Sequence, residues 1–300
     1  MPEGRNGERP GKVAGVDQYL AETRIYPGLG KVVQNGEVSE DRRRYLCALR
    51  RRRLFTSAVR LAIFVVLMAL WETASRLRWI NPFIFSYPSQ IASVLVGMVA
   101  DGSLWRHIAW TMTETAIGFT AGTLIGTMIA VALWWSSTLS RVLDPYLVVL
   151  NSIPKVALGP IFIVWLGTNM PAIISMALAI SVIVTVMMVF AGFQEVDPDK
   201  IKLLRTFGAS RGQILRLVVL PASVPTIISA LKVSVGQSLV GVIMGEFLVS
   251  QAGLGYLIVY GGQVWKMPLI LASIAVLCLM SMALYYGISW MERHFLSWRA

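Results

Sequence analysis

The sequence predicts an all-α membrane protein that crosses the bilayer about six times, with both ends on the cytoplasmic side. Three observations carry this prediction. Of 300 residues, 56% are hydrophobic and only 14% charged. That is too little charge to cover a soluble domain of this size, so lipid must be the solvent for much of the surface. Six apolar segments, at residues 56–75, 115–135, 146–166, 171–193, 222–247 and 268–290, follow one another along the chain. Each is close to the ~20 residues that a helix rising ~1.5 Å per residue needs to cross a ~30 Å hydrocarbon core. The charge is also lopsided. With the N-terminus inside, 21 of the 27 Lys and Arg residues fall on the inner side, and the outer side holds only Arg76, Arg78, Arg106 and Lys266. Leaving out everything before Arg42 still gives 16 against those 4.

The first 55 residues read as a poorly ordered, basic, cytoplasmic tail, in which residues 1–41 mix Gly, Pro, Glu, Arg and Asn without period. Arg42 to Arg44, Arg50 to Arg53 and Arg60 then stand directly ahead of the first apolar segment. Such a cluster can attract anionic lipid or RNA, or simply set topology. Its position beside a span favours topology, and no nucleic-acid partner is expected. No apolar run long enough for a signal-peptide core precedes residue 60, so the first span is expected to act as an uncleaved insertion signal.

The membrane-spanning region 56–296 then begins, with Arg60 snorkelling from the first span. Residues 76–114 read as an outer loop, in which Ile91, Val94, Leu95, Met98 and Val99 recur at helical spacing and predict a short interfacial helix. Trp79, Trp105 and Trp110 suit an outer aromatic belt, and Trp134, Trp135, Trp290 and Trp298 an inner one. Pro154, Gly159 and Pro160 predict that the third segment is kinked or starts as a surface helix. Gly118, Gly122 and Gly126 in the second span, and Gly241 and Gly245 in the fifth, repeat at four residues. This spacing lets helix backbones approach closely, within one subunit or across a dimer seam, and packing within the subunit is the favoured use.

Several polar residues fall within or at the edge of spans. Lys155, Lys232 and Glu246 are ionisable and costly in lipid, so they should face the bundle interior or a water-filled path. Lys232 is only about three turns from the Pro221 boundary, which suits snorkelling or a structural pair. Lys155 adjoins the Pro154 kink, where it could meet an anionic solute or pair with a protein acid. With Lys155 and Glu246, the polar groups Asn151, Ser152, Gln237 and Ser238 form the candidate translocation path. His107 and His294 have no partner cluster, and Cys47 and Cys278 build neither a disulfide framework nor a metal site, so no metal ligand is assigned. No phosphate-binding G-x-x-x-x-G-K-[ST] or H-E-x-x-H occurs, and no catalytic residue is assigned either.

The inner loop at residues 197–221 reads as two short helices about a tight turn. Asp197 is a natural N-cap with Pro198 at the first helical position. Gly208 can end the first helix in a left-handed conformation, and Ser210 with Gln213 forms a capping-box pattern that starts the second. Lys200, Lys202, Arg205, Arg211 and Arg216 are expected to face out, and Ile201, Leu204, Ile214, Leu217 and Val218 to pack inward.

This loop resembles the cytoplasmic docking motif of binding-protein-dependent ABC importer permeases: Glu-Ala-Ala, three residues, Gly, nine residues, Ile-x-Leu-Pro. Here the opening triplet is Lys202-Leu203-Leu204, the glycine is Gly208 (followed by Ala209), Val218 takes the isoleucine position and Leu220-Pro221 closes the motif. Lys202 departs from the family pattern by placing a cation where an acid is usual. From roughly Leu61 to Leu296 the chain is similar to the nitrate/sulfonate/taurine-type subfamily. The similarity lies at Trp71-Glu72, Tyr87-Pro88-Ser89, Leu143-Asp144-Pro145, Ile153-Pro154-Lys155-Val156-Ala157-Leu158-Gly159-Pro160, Trp165-Leu166-Gly167 and Gly253-Leu254-Gly255-Tyr256-Leu257-Ile258.

The resemblance implies a six-span type I importer permease that pairs with a second permease subunit as a homodimer and sits on two cytoplasmic ABC ATPase subunits. Solute would arrive from an extracytoplasmic binding protein. ATP would be used by the ATPases, and this chain would bind no cofactor. Solutes of the subfamily include nitrate, sulfonates, taurine, riboflavin and thiamine pyrimidines. The rival is a secondary transporter driven by an ion gradient. It would show paired buried carboxylates or an inverted repeat, whereas the predicted spans contain few acids and no visible repeat.

Overall fold

The computed structural model describes residues 40–295, and no strand occurs among them. The chain divides into two units, Met1–Leu70 and Trp71–Ala300. The described part of the first unit is helical and belongs to α1 (Glu40–Arg76), whose apolar stretch Leu54–Arg76 is 23 residues long, enough to cross a membrane. The helix therefore runs back through residues 40–55, which the sequence suggests are tail. These residues contain no Gly or Pro and are rich in the good helix formers Arg, Leu and Ala. The tail before residue 40 lies outside the described residues.

In the second unit the last turn of α1 is tied to the start of α3 (Pro88–Ala100). Glu72 accepts from the Ser89 backbone N–H at 3.0 Å, the Ser89 hydroxyl at 2.7 Å and Arg76 Nε at 2.6 Å. A carboxylate thus caps the N-terminus of α3, where Pro88 needs no donor partner. This is the short helix that the Ile91–Val99 spacing predicts. Before it, α2 (Pro82–Phe85) is a single turn capped by Asn81. After it, Asp101 accepts from the hydroxyl and the backbone N–H of Ser103, and these bonds hold its carboxyl below the usual aspartate range.

The outer loop ends much earlier than expected. α4 spans Ser103–Trp135, so Trp105, Trp110 and Glu114 lie in the helix. His107, Thr111 and Glu114 are polar, which hides the helix start from a hydropathy reading. Yet they stand at i, i+4 and i+7, one face of a helix. The third segment is broken. α5 (Ser137–Ser152) and the 3₁₀-to-α6 stretch Lys155–Leu166 (α6 itself Gly159–Leu166) meet at 89°. Pro154 lies at that break, as the kink expectation requires, but the helix leading into it begins at Ser137 and not near residue 146.

α7 (Met170–Gln194) is the central helix and carries no charged residue. It packs along α4 on one side and α10 (Leu220–Val249) on the other. Glycines face it from both. A Cβ at Gly118 would come 2.7 Å from Ala177 Cβ, and one at Gly241 2.5 Å from Ala177 Cα. The four-residue stripes are therefore used inside the subunit. A buried Thr185–Ser234 hydroxyl pair at 2.7 Å adds a polar tie between α7 and α10.

The inner-loop helices are α8 (Pro198–Thr206) and α9 (Arg211–Ile214), which continues through a π-turn, Leu215–Val219, into α10. The π-turn arises beside Pro221 and Pro225, which cannot donate to the preceding turn, and Leu220 N–H reaches back to Leu215 O instead. The fifth span is thus one run, Arg211–Val249. α11 (Leu254–Gln263) and α12 (Met267–Phe295) complete the bundle. Lys232 meets Glu292 of α12 at 2.5 Å, with the Tyr285 ring 5.8 Å from its ammonium, which is the structural pair considered for it. Five described helices are long and apolar enough to span, or six if the bent pair is one span.

Candidate functional site

The inner loop is built by local chemistry. Asp197 Oδ1 accepts from Asp199 N–H at 2.9 Å and starts α8. Gly208 stands at φ +77°, and the Ala209 N–H closes back on Leu204 O at 3.0 Å. The capping box forms in both directions: Ser210 N–H donates to Gln213 Oε1 at 2.7 Å, and Gln213 N–H donates to Ser210 Oγ at 3.3 Å.

Ile201, Leu204, Ala209, Val218 and Leu220 pack against a core that includes Leu133, Phe193 and Ile214, while Pro221 is exposed. Leu217 does not join them; it is 64% exposed. The π-turn takes in one residue more than an α-turn, and this rotates Leu217 off the inward face. Leu203 (57% exposed) and Phe207 (77% exposed) form an apolar tip one turn apart. Lys202 beside them is also exposed and pairs with Asp199 at 3.0 Å. Arg211 Nη1 donates to the Trp135 carbonyl at 2.8 Å, fixing the loop to the last turn of α4.

The candidate path residues separate into two groups. Asn151, Ser152 and Lys155 gather at the α5–α6 break. There Lys155 Nζ donates to Asn151 O at 2.7 Å and to Asn151 Oδ1 at 3.3 Å, and Ser152 Oγ donates to Val148 O. Gln237, Ser238 and Glu246 lie along α10. Gln237 is half-buried, and the buried Ser238 Oγ has no hydrogen-bond partner among the described residues.

Glu246 sits at the N-terminus of α11. Its Oε1 accepts from the Thr111 hydroxyl at 2.6 Å, and the carboxylate also accepts from the Gly255 and Tyr256 backbone N–H groups. Gly253 N–H donates to His107 Nδ1 at 3.0 Å, and Leu254 N–H to Thr111 Oγ1 at 2.8 Å. The opening N–H groups of α11 are thus satisfied by side chains of α4 and α10. The Gly253-Leu254-Gly255 sequence follows from this approach, because a Cβ at either glycine would fall onto the Glu246 carboxylate. Sequence reasoning missed His107, Thr111 and Glu114 as partners of this junction. The available signal was their one-face helical spacing ahead of the apolar run.

Residues 122–298 match the family described as binding-protein-dependent transport system inner membrane component. The chain is 28% identical over 239 residues to the taurine transport system permease protein TauC of Escherichia coli, covering 78% of this chain and 86% of that one. It is 30% identical over 236 residues to a probable ABC transporter permease protein of Haemophilus influenzae, covering 79% and 96%. In fold it resembles a chain of a bacterial ABC transporter involved in the import of the acidic polysaccharide alginate, with a TM-score of 0.58 at 16% identity, covering 84% of this chain and 99% of that one. A helical bundle of type I importer architecture, with these sequence matches, makes this chain a member of the binding-protein-dependent transport system inner membrane component family, a multi-pass ABC importer permease.

Proposed function

We propose that the chain is the permease subunit of an ATP-driven importer, forming the path for a small solute delivered by an extracytoplasmic binding protein. The similarity to a taurine permease favours a small sulfonate or a related anion over the nitrate, riboflavin and thiamine-pyrimidine alternatives. The observation that carries the reading is the capped loop at residues 197–221. It presents Leu203 and Phe207 outward while Ile201, Leu204, Ala209, Ile214, Val218 and Leu220 are packed against the ends of α4, α7 and α10. In this reading Lys202, Leu203, Leu204, Gly208, Ala209, Val218, Leu220 and Pro221 build the surface that docks on each of two cytoplasmic ATPase subunits. A second copy of the chain completes the path, along which Asn151, Ser152, Lys155, Gln237, Ser238 and Glu246 are the polar candidates. ATP binds the ATPases, and this chain holds no cofactor. Closure of the ATPases would then move the spans as rigid bodies.

Reconstitution of the chain with its ATPase and binding protein tests the function. Taurine uptake should require ATP and the binding protein. The paired acids expected of an ion-driven carrier do occur, as Glu114 and Glu246, so the same vesicles should also be given an ion gradient without ATP. Uptake under that condition would establish the secondary transporter instead.

Orientation follows from the charge asymmetry. In a Cys47→Ser/Cys278→Ser background, Gln263→Cys should react with a membrane-impermeant thiol reagent in intact cells, and Lys200→Cys only after the membrane is opened. Labelling of Lys200→Cys in intact cells reverses the topology.

Lys202 supplies a charge test of docking. If its ATPase presents an acidic or neutral surface there, Lys202→Glu should lower coupled ATP hydrolysis roughly fivefold, since an exposed pair is worth about 1 kcal/mol or less. Lys202→Ala should lower it less. Equal behaviour of the two variants removes charge matching from the docking account.

A further inference from the structure

We propose that Glu114 and Glu246 together form a buried binding site for a single proton, placed where α4 meets the junction of α10 and α11. Both residues are enclosed, at 2% and 1% exposure. Their carboxyl groups lie within hydrogen-bond reach of each other. Glu246 accepts from the Thr111 hydroxyl and from two N–H groups in the first turn of α11, which leaves its carboxylate room for one further donor. Thr111 cannot serve Glu114 as a donor as well, because its one hydrogen is directed at Glu246 while its oxygen accepts from Leu254 N–H. Glu114 Oε2 is left buried with no partner among the described residues.

Among the described residues no cation resolves the contact. α7 carries no charge. On α4, Arg106 is exposed about two turns away, and His107 accepts at Nδ1, so its ring is neutral with the proton on Nε2. On α10, Lys232 is about four turns off and paired with Glu292. α11 offers only Tyr256 and Tyr260, α3 offers nothing ionisable, and Asp101 is bonded to Ser103. α12 brings no charge before Glu292, and Lys266, which precedes it, is exposed.

Two carboxylates in contact inside an apolar bundle repel with nothing to offset them, and each also carries its own desolvation cost. One proton removes both difficulties. It turns Glu114 into a donor toward Glu246 and leaves one negative charge, which sits at the N-terminal end of the α11 dipole. Glu246 is thus the charged member and Glu114 carries the proton. The site joins three helices and takes no part in the docking-loop surface, so its test does not depend on transport.

The test uses the full chain in lipid nanodiscs. Infrared spectra should show a protonated-carboxyl C=O stretch in the wild type at neutral pH that is missing in Glu114→Gln. The amide of Glu114→Gln donates permanently in the proton's place, so this variant should fold and keep the wild-type melting midpoint near neutrality. As pH rises from about 6 to about 9 the wild type should lose stability, because the native state holds a proton that the unfolded chain releases. The limiting slope is about tenfold in the folding equilibrium per pH unit. Glu114→Gln should be flat over the same range. Glu246→Gln, which sets an amide donor against the α11 N–H groups, should melt lower at every pH. Parallel pH profiles for wild type and Glu114→Gln overturn the proposal. So does the absence of the wild-type carboxyl band, which remains decisive even if Glu114→Gln fails to accumulate. The wild-type series is run in sodium chloride and in choline chloride. Stabilisation by sodium alone at high pH overturns the proton in favour of a metal cation.

Discussion

Gly241→Leu is expected to leave almost no folded protein in the membrane. The Cβ it adds would lie 2.5 Å from Ala177 Cα, 3.0 Å from Ala177 N and 3.1 Å from Met176 O. All three are backbone atoms of the central helix, so no side-chain rotation can relieve the contact. Either α7 and α10 move apart or one of them bends. Overpacking a tight interface costs about 1–3 kcal/mol even for modest additions, and here separation would also expose the Thr185–Ser234 pair. Gly241→Ala already brings the full Cβ clash and should lower the melting midpoint clearly. Gly236→Ala on the same helix has nothing within 4 Å and should match or exceed the wild type, since Ala is about 1 kcal/mol better than Gly inside a helix. Gly122→Ala should fall between them, because its closest neighbour is the Ser181 hydroxyl, which can turn away. Melting midpoints of the purified variants give the order. Gly241→Ala melting like Gly236→Ala would show that α10 does not rest on α7 as closely as described.

Gly208→Val should leave a stable protein that couples poorly. The position has open space around it, and its φ of +77° is the whole constraint. A Cβ in that conformation costs about 1–2 kcal/mol, which the loop can avoid only by re-aiming α8 relative to α9. The Ala209–Leu204 hydrogen bond and the capping box at Ser210 would be disturbed, and Leu203 and Phe207 would point elsewhere. Because about 1.4 kcal/mol is tenfold in an equilibrium, recovery of the ATPase on the purified permease should drop by roughly tenfold at limiting concentration. Membrane levels should not change. Gly208→Asn, a residue that tolerates the left-handed region, should retain most of the association. Full recovery of the ATPase with Gly208→Val would remove the glycine turn from the docking account.

The two sites differ in how far the sequence reveals them. The inner loop is legible because each determinant acts within a few residues: Asp197 on Asp199, the turn at Gly208, and Ser210 with Gln213. The exception is Leu217, whose outward direction depends on a π-turn caused by prolines further along. The pairing of Glu114 with Glu246 has no local signal. A hydropathy scan sees Glu114 as the polar edge of a loop, and only the packing of α4 against α10 and α11 brings the two acids together. Similarly, Pro154 announces a break, but the 89° between α5 and α6 is set by what the two helices pack against. The start of α4 at Ser103 was hidden because polar residues serving another helix look, one at a time, like residues serving water.

The bond from Arg211 to the Trp135 carbonyl has a mechanical consequence. A push on the loop tip at Leu203 and Phe207 has two routes into the membrane. One runs along the covalent chain, through the π-turn, into α10. The other crosses Arg211 and acts on the end of α4, three spans earlier in sequence. The uncharged α7 packs on both of those helices, which also meet each other at Thr111 and Glu246, so in the docking reading the loop would act as a yoke that loads both neighbours of α7 together.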